Sequence, residues 1–220
     1  MIPYGFGRLP SPPDFRDFRM SAAIAILEKE LRPTKMWHSD RVLNQGQTPH
    51  CVGFAFAAWG IATPVEDSWD DRMGHYIYKY CKIIDGEPGA ENGSTVRSGA
   101  KVLQRMGRIN TYFFADSCDE ALDFVARFGP VVFGTGWTDS MCKPSIVRNI
   151  IVPRGKFTNG HAYLVIGVEK NYGIIRNSWG PPWGDGGNAR ISIPNLRSLF
   201  NNGGEACAAT ENPLPIGIGV

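Results

Sequence analysis

The longest uninterrupted apolar stretch, residues 51–62 (CVGFAFAAWGIA), has no polar face at any helical spacing. It lies between the turn-rich segment NQGQTPH and Pro64, which predicts a helix buried on every side. Trp69, Met73, Tyr76 and Tyr80 then recur at helical spacing and predict a second helix. Ser94 or Thr95 is placed to cap a third helix, which runs to Met106 and is stopped by Gly107. Ser117 and Glu120 read as a capping box ahead of Leu122, Val125 and Phe128, the apolar face of a fourth. Nearer the N-terminus, Ser21 precedes Ile24, Leu27 and Leu31, a short helix ended by Pro33. Residues 1–20 carry Pro3, Pro10, Pro12 and Pro13 among aromatic residues and predict an extended arm.

Beyond Gly129 and Pro130 the pattern changes. Residues 131–136, 162–168, 172–176 and 189–193 are short β-rich runs separated by Gly, Pro and Asn. Helices first and strands second predict an α+β fold of two lobes with a cleft between them. The expected division is an arm and short helix over 1–40, a helical lobe over 41–128 and a β-rich lobe over 129–220.

Composition narrows the function. With 43% hydrophobic and 20% charged residues, the 220-residue chain is not a wholly disordered one. A formal charge of +2 is too even for an electrostatic footprint on nucleic acid or an anionic membrane, and neither is expected as a partner. The 12-residue apolar run is too short to span a bilayer. The opening MIPYGFGRLPSPP has prolines where a secretory signal would have its apolar core. The five cysteines (Cys51, Cys81, Cys118, Cys142, Cys207) form no C-x-x-C pair and do not cluster with His38, His50, His75 or His161. No metal site or cofactor is expected, and free thiols fit a reducing, cytoplasmic compartment.

One of these thiols stands apart. Cys51 lies where a polar loop meets the apolar helix, facing unpaired N–H groups and the positive end of the helix dipole, which favour a thiolate. A nucleophile needs a base and a group to orient it. His161 opens the strand AYLVIGV, and Asn177 lies sixteen residues on, at the end of the next strand. An Asn carbonyl oxygen accepting Nδ1–H would fix the tautomer and ring orientation of His161. Gln45, six residues before Cys51, would supply a side-chain N–H that converges with the Cys51 backbone N–H as an oxyanion hole. His50, beside the nucleophile, reads as a surface-loop histidine.

These residues resemble a family. Asn44-Gln45-Gly46 before a cysteine-led helix, Gly129-Pro130-Val131, Gly160-His161-Ala162 before an apolar strand, and Asn177-Ser178-Trp179-Gly180 followed by Trp183-Gly184 together resemble the papain-like cysteine peptidases. The resemblance covers roughly residues 40–207. It implies the papain-like two-lobed fold and peptide-bond hydrolysis through a thioester acyl-enzyme. In that scheme Cys51 is the nucleophile, His161 the base and then acid, Asn177 its orienter and Gln45 an oxyanion donor. Trp179 would cover the His161–Asn177 contact, and Trp183 would line the leaving-group side. Gly93, Ser94 and Ala162 would complete the substrate-binding cleft, and the partner would be a peptide or protein substrate. The same residues would also serve an amidase, isopeptidase or acyl transferase acting on cell-wall or other non-protein amides. The remaining alternative is a catalytically idle binding module.

The chain departs from the family pattern in places. Thr48 replaces the first cysteine of the family's signature around the nucleophile, Glu91 stands near its disulfide partner, and Val52 replaces an aromatic residue. The offset of 110 from Cys51 to His161 is shorter than the roughly 130–150 of type members. These features point to an intracellular microbial or viral branch. The arm before Gln45 either braces the lobes or lies across the cleft, and bracing is the expectation.

Overall fold

In the computed structural model, which describes residues 4–21, 33–145 and 147–210, the apolar run is helix α1, Cys51–Ile61. All eleven of its residues are buried. Helix α2, Asp71–Ile84, crosses it where two glycines meet. A Cβ on Gly53 would lie 2.2 Å from the Gly74 carbonyl oxygen, so the backbones themselves are in contact. Of the four residues at helical spacing, Trp69 lies just before α2 and is buried, and Met73 packs half-buried against the core. Tyr76 and Tyr80 are exposed and pack on each other with ring centroids 4.5 Å apart. The buried face is instead Gly74, Ile77, Tyr78, Cys81 and Lys82. A lysine reaches a core position because its ammonium group donates to Glu87 at 2.8 Å and to the Gly93 carbonyl at 3.0 Å.

Helix α3, Val96–Arg105, starts with the Thr95 hydroxyl accepting from Ser98 N–H, and Gly107 follows it at φ +68°. In α4, Cys118–Arg127, the Ser117 hydroxyl accepts from Glu120 N–H. Glu120 reaches back one residue further than a capping box requires, accepting from Asp116 N–H. Helix α5, Ile193–Asn201, is one the pattern did not predict, with Ser192 as its cap and Pro194 in its first turn. The helix expected around Ile24, Leu27 and Leu31 lies outside the described residues.

The strands are β1 (Arg8–Leu9), β2 (Phe18–Arg19), β3 (Lys35–Met36), β4 (Ser94–Thr95), β5 (Thr111–Phe114), β6 (Val131–Trp137), β7 (Ile150–Ile151), β8 (Asn159–Val168), β9 (Tyr172–Arg176), β10 (Asn188–Ser192) and β11 (Glu205–Thr210). Nine form one sheet in the order β2-β5-β11-β6-β8-β9-β10-β7, with β3 on β8; β1 and β4 pair separately. Alternation along the central strands sorts side chains between two cores. Val132, Ala162, Leu164, Ile166 and Cys207 pack with α1, α2 and α3. Val131, Phe133, Tyr163, Val165, Ala206 and Ala208 pack with α4 and α5 on the other face. Helix α4 thus shares a core with the strands although it precedes residue 129. Mixed helices and sheet make this an α+β fold.

Candidate active site

Two element ends meet at Cys51. It is the first residue of α1 and is fully buried. The Ala162 backbone N–H on β8 donates to its Sγ at 3.4 Å. His161 is the preceding residue, so the strand sets its backbone beside the thiol. Asn177 follows the end of β9, which pairs antiparallel with β8, and its Oδ1 lies 2.9 Å from His161 Nε2. The nitrogen engaged is Nε2, not the Nδ1 expected from sequence. Nδ1 is left buried without a hydrogen-bond partner, as is Asn177 Nδ2. Asn177 Oδ1 also accepts from Ser178 N–H at 2.8 Å, which fixes the amide's orientation.

Aromatic rings enclose the imidazole. Trp179 stacks on it at 4.6 Å between centroids, and Trp137 meets it edge-on at 4.8 Å. Trp183 packs edge-on against Trp179 at 5.7 Å, and its indole N–H donates to the Cys142 carbonyl. Trp183 also forms one wall of a 580 Å³ cavity shared with Tyr4, Lys143, Arg148 and Arg190. Gln45 is buried in the loop before α1; Ser178 Oγ donates to its Oε1 at 2.6 Å, and its amide donates to the Thr48 carbonyl at 2.9 Å. An amide nitrogen has two hydrogens, so one remains for a ligand.

His50 is not the surface histidine expected from sequence. It is 9% exposed and stacks on Tyr78 at 3.8 Å. Its Nδ1 lies 2.7 Å from His75 Nδ1 and its Nε2 lies 2.7 Å from Glu91. Burial lowers its pKa, and Glu91 opposes that shift. This contact ties the loop before Cys51 to the segment leading to Ser94, where the family resemblance implies a disulfide and this chain has Thr48 and Glu91. All five cysteines are free.

The arm fills the cleft. Gly5 N–H donates to the Gly46 carbonyl, Gly7 N–H to the Gly160 carbonyl, and Ser94 N–H to the Gly7 carbonyl. Trp179's indole N–H donates to the Gly5 carbonyl at 3.1 Å, Tyr4 stacks on Trp179 at 4.3 Å, and Phe6 meets His161 edge-on at 5.6 Å. Residues 4–9 therefore lie across the cleft, while residues 11–19 do the bracing that sequence led us to expect of the arm. Ser11 N–H donates to Glu205, Arg97 binds Asp17 and the Pro12 carbonyl, and β2 extends the sheet beside β5. Gly93 keeps neither of its polar groups for a ligand, since Tyr78 accepts from its N–H and Lys82 donates to its carbonyl. The edge beside it, Ser94, is paired with the arm.

Burial decides the charge state. It pushes the Cys51 thiol up to about 12, outweighing the N–H groups of Ala162 and Val52 that would stabilise a thiolate. It pulls His161 down to about 4, against the Asn177 contact. Both groups are neutral in this closed form, the reverse of the helix-dipole expectation. Sequence did not mark Tyr4, Phe6 or Arg8, whose only signal was Gly5 and Gly7 alternating with aromatics.

Known proteins bear on this arrangement. No family model matches the chain. Macrodontain-1 of Ananas macrodontes, a papain-like cysteine protease, is 41% identical over 208 residues, spanning 80% of this chain and 91% of that protein. The chain belongs to the papain-like cysteine proteases. This protease accordingly is a hydrolase. Xylellain, a cysteine protease from Xylella fastidiosa, superposes with a TM-score of 0.73 at 20% identity, over 96% of this chain and 97% of its own. The Carica candamarcensis cysteine protease CMS1MS2, solved with E-64, gives 0.62 at 16% identity over 80% of this chain and 94% of its own. Procathepsin L2 of Tenebrio molitor gives 0.62 at 19%, over 94% and 78%. The α+β fold of this protease is thus the papain-like one.

Proposed function

We propose that the chain hydrolyses peptide bonds with Cys51, His161 and Asn177 as its triad, and that the form described above is its latent state. The supporting observation is that the Ala162 N–H, on the residue after His161, donates to Cys51 Sγ, while His161 Nε2 is committed to Asn177 and its Nδ1 has no partner. When the arm leaves, water returns and both pKa shifts relax, so the thiol proton passes to His161 Nδ1. Sγ attacks the peptide carbonyl carbon, and the oxyanion forms facing the Cys51 N–H and the second Gln45 amide hydrogen. The C–N bond breaks as His161 gives its proton to the amine, leaving a thioester. Water, deprotonated by His161, then hydrolyses the thioester and restores the thiol. Asn177 holds the ring through Nε2–H, and Trp179 shields that contact from solvent. Trp183, Ser94 and Ala162 line the cleft around the substrate, which is a peptide or an extended protein segment. Gly93 contributes shape, because a Cβ there would stand 2.0 Å from the Gly7 carbonyl oxygen.

A thiol-directed epoxide, mapped by mass spectrometry on the intact chain alongside cleavage of an unstructured protein, tests this. The adduct is expected on Cys51 alone among the five thiols, and Cys51→Ala is expected to remove both adduct and cleavage. Even labelling, or cleavage surviving in Cys51→Ala, refutes the assignment.

A further inference from the structure

The loop that ends at Cys51 is fastened through a histidine. The peptide joining His50 to Cys51 carries the N–H assigned above as an oxyanion donor, so the dihedral angles of His50 aim that donor. His50 has φ −96° and ψ 15°, in the sparsely populated bridge region, and its carbonyl accepts from Phe54 N–H at 3.1 Å. Its side chain does not cap α1. It turns instead onto α2 and the cleft edge, where the ring lies on Tyr78, Nδ1 lies 2.7 Å from His75 Nδ1 and Nε2 lies 2.7 Å from Glu91 Oε2. The Tyr78 hydroxyl donates to the Ala90 carbonyl and accepts from Gly93 N–H, so one stack joins the nucleophile loop, α2 and the edge segment.

The protons in this contact can be counted. The Glu91 carboxylate accepts, so His50 Nε2 carries a hydrogen. Between the two Nδ1 atoms there is room for one hydrogen only. With both rings neutral, His75 donates it and His50 accepts. With one added proton the contact survives, since one ring carries the charge and the other supplies the lone pair. With two, both Nδ1 atoms carry hydrogens, two cations face each other and the contact breaks. The titratable groups around His50 are Glu91 from the edge segment, His75 and Tyr78 from α2, and Cys51 from α1; burial keeps Tyr78 neutral. Burial also lowers the His50 pKa below its ordinary 6.5 against the pull of Glu91, so the second proton arrives only in acid.

We infer that His50 is a positioning residue: its ring, tied to Glu91 and His75, aims the Cys51 N–H at the oxyanion, and the aim is lost when both histidines are charged. The inference rests on the peptidase reading above. Cys51 and His161 titrate as well, but alike in chains that differ only at His75, so a ratio between two such chains cancels them.

The test measures kcat and KM of full-length chains on an unstructured peptide from about pH 5 to about pH 8, with melting temperatures as the report on folding. Saturating peptide displaces the arm, so a change in the arm's hold falls in KM and a change in the aim of the donor falls in kcat. His50→Ala should lower kcat about 10–100-fold at neutral pH. His75→Asn keeps the contact without the proton conflict, because an amide there turns either its N–H or its oxygen toward His50. It should retain kcat at neutral pH, and the ratio of the parent's kcat to its own should fall about tenfold as pH drops to about 5. Glu91→Gln keeps an acceptor but removes the charge that opposes the His50 shift, so the fall should move to lower pH. His75 and Glu91 are exposed, so these two chains decide the matter if His50→Ala does not fold. An effect of His50→Ala confined to KM or to melting temperature, or a ratio flat with pH while the parent cleaves, overturns the inference; His50 then only fastens the loop. No cleavage by the parent at any pH strikes the peptidase reading itself, and the inference with it.

Discussion

A single methyl group added at Gly7 should release the latent form. Gly7 has φ +135°, and a Cβ built there would stand 2.1 Å from the Pro49 carbonyl oxygen and 2.8 Å from Pro49 Cα. Both are backbone atoms of the loop that leads into α1, so neither yields by a rotamer change. Holding a non-glycine residue in that backbone region costs about 1–3 kcal/mol, and overpacking costs about as much again. The arm is the element able to move, so Gly7→Ala should weaken closure by at least about 2 kcal/mol, which is about 30-fold in the closed-to-open ratio. Alkylation of Cys51 requires the open form, and its rate with iodoacetamide at neutral pH should rise by that factor. Gly155→Ala is the control, since Gly155 has φ +84° but no atom within 4 Å of where its methyl group would stand. An unchanged alkylation rate in Gly7→Ala, or an equal rise in Gly155→Ala, would refute the reasoning that the arm's backbone fit keeps the cleft shut.

Acid should open the arm. His161 sits near 4 in the closed form against an ordinary 6.5; a histidine with lowered pKa contributes to closure above about pH 6.5 and loses that contribution as pH falls toward 4. Acrylamide quenching of tryptophan fluorescence should therefore increase across that window in Cys51→Ala and stay flat in Cys51→Ala/His161→Ala. Gln45→Ala should lower kcat by about 10²–10³-fold in a chain already opened by Gly7→Ala, measured on a peptide substrate. Asn177→Ala should lower turnover less than His161→Ala does, because water replaces part of an orienting contact. Gly53→Ala should cost about 3 kcal/mol in denaturant unfolding, since its methyl would press into the α2 backbone 2.2 Å away.

The sequence shows α1 and strands β6, β8, β9 and β10 because their apolar runs are long or strictly bounded. It also brings Cys51, His161 and Asn177 into view, because each stands at an element end beside a distinctive short motif. β11 is illegible for a physical reason: EACAAT is poor in β-branched residues and becomes a strand through pairing with β5 and β6 on both sides. Helix α5 escapes because Ile193 extends the β10 pattern, and only the cap at Ser192 turns the chain. The face of α2 misleads because Tyr76 and Tyr80 stack outside, while a glycine, a cysteine and an ion-paired lysine take the interior. The charge state of Cys51 fails for a different reason. A helix N-terminus favours the thiolate by a modest local effect, and the complete burial of Cys51 in the fold outweighs it.

Because the peptide that plugs the cleft belongs to the same polypeptide, diluting the protein does not relieve the blockade. A tethered occupant of this kind presents itself at an effective concentration of roughly millimolar. A free substrate competes only when it is abundant or binds much more tightly, and severing the tether once turns a permanent neighbour into a solute that drifts away.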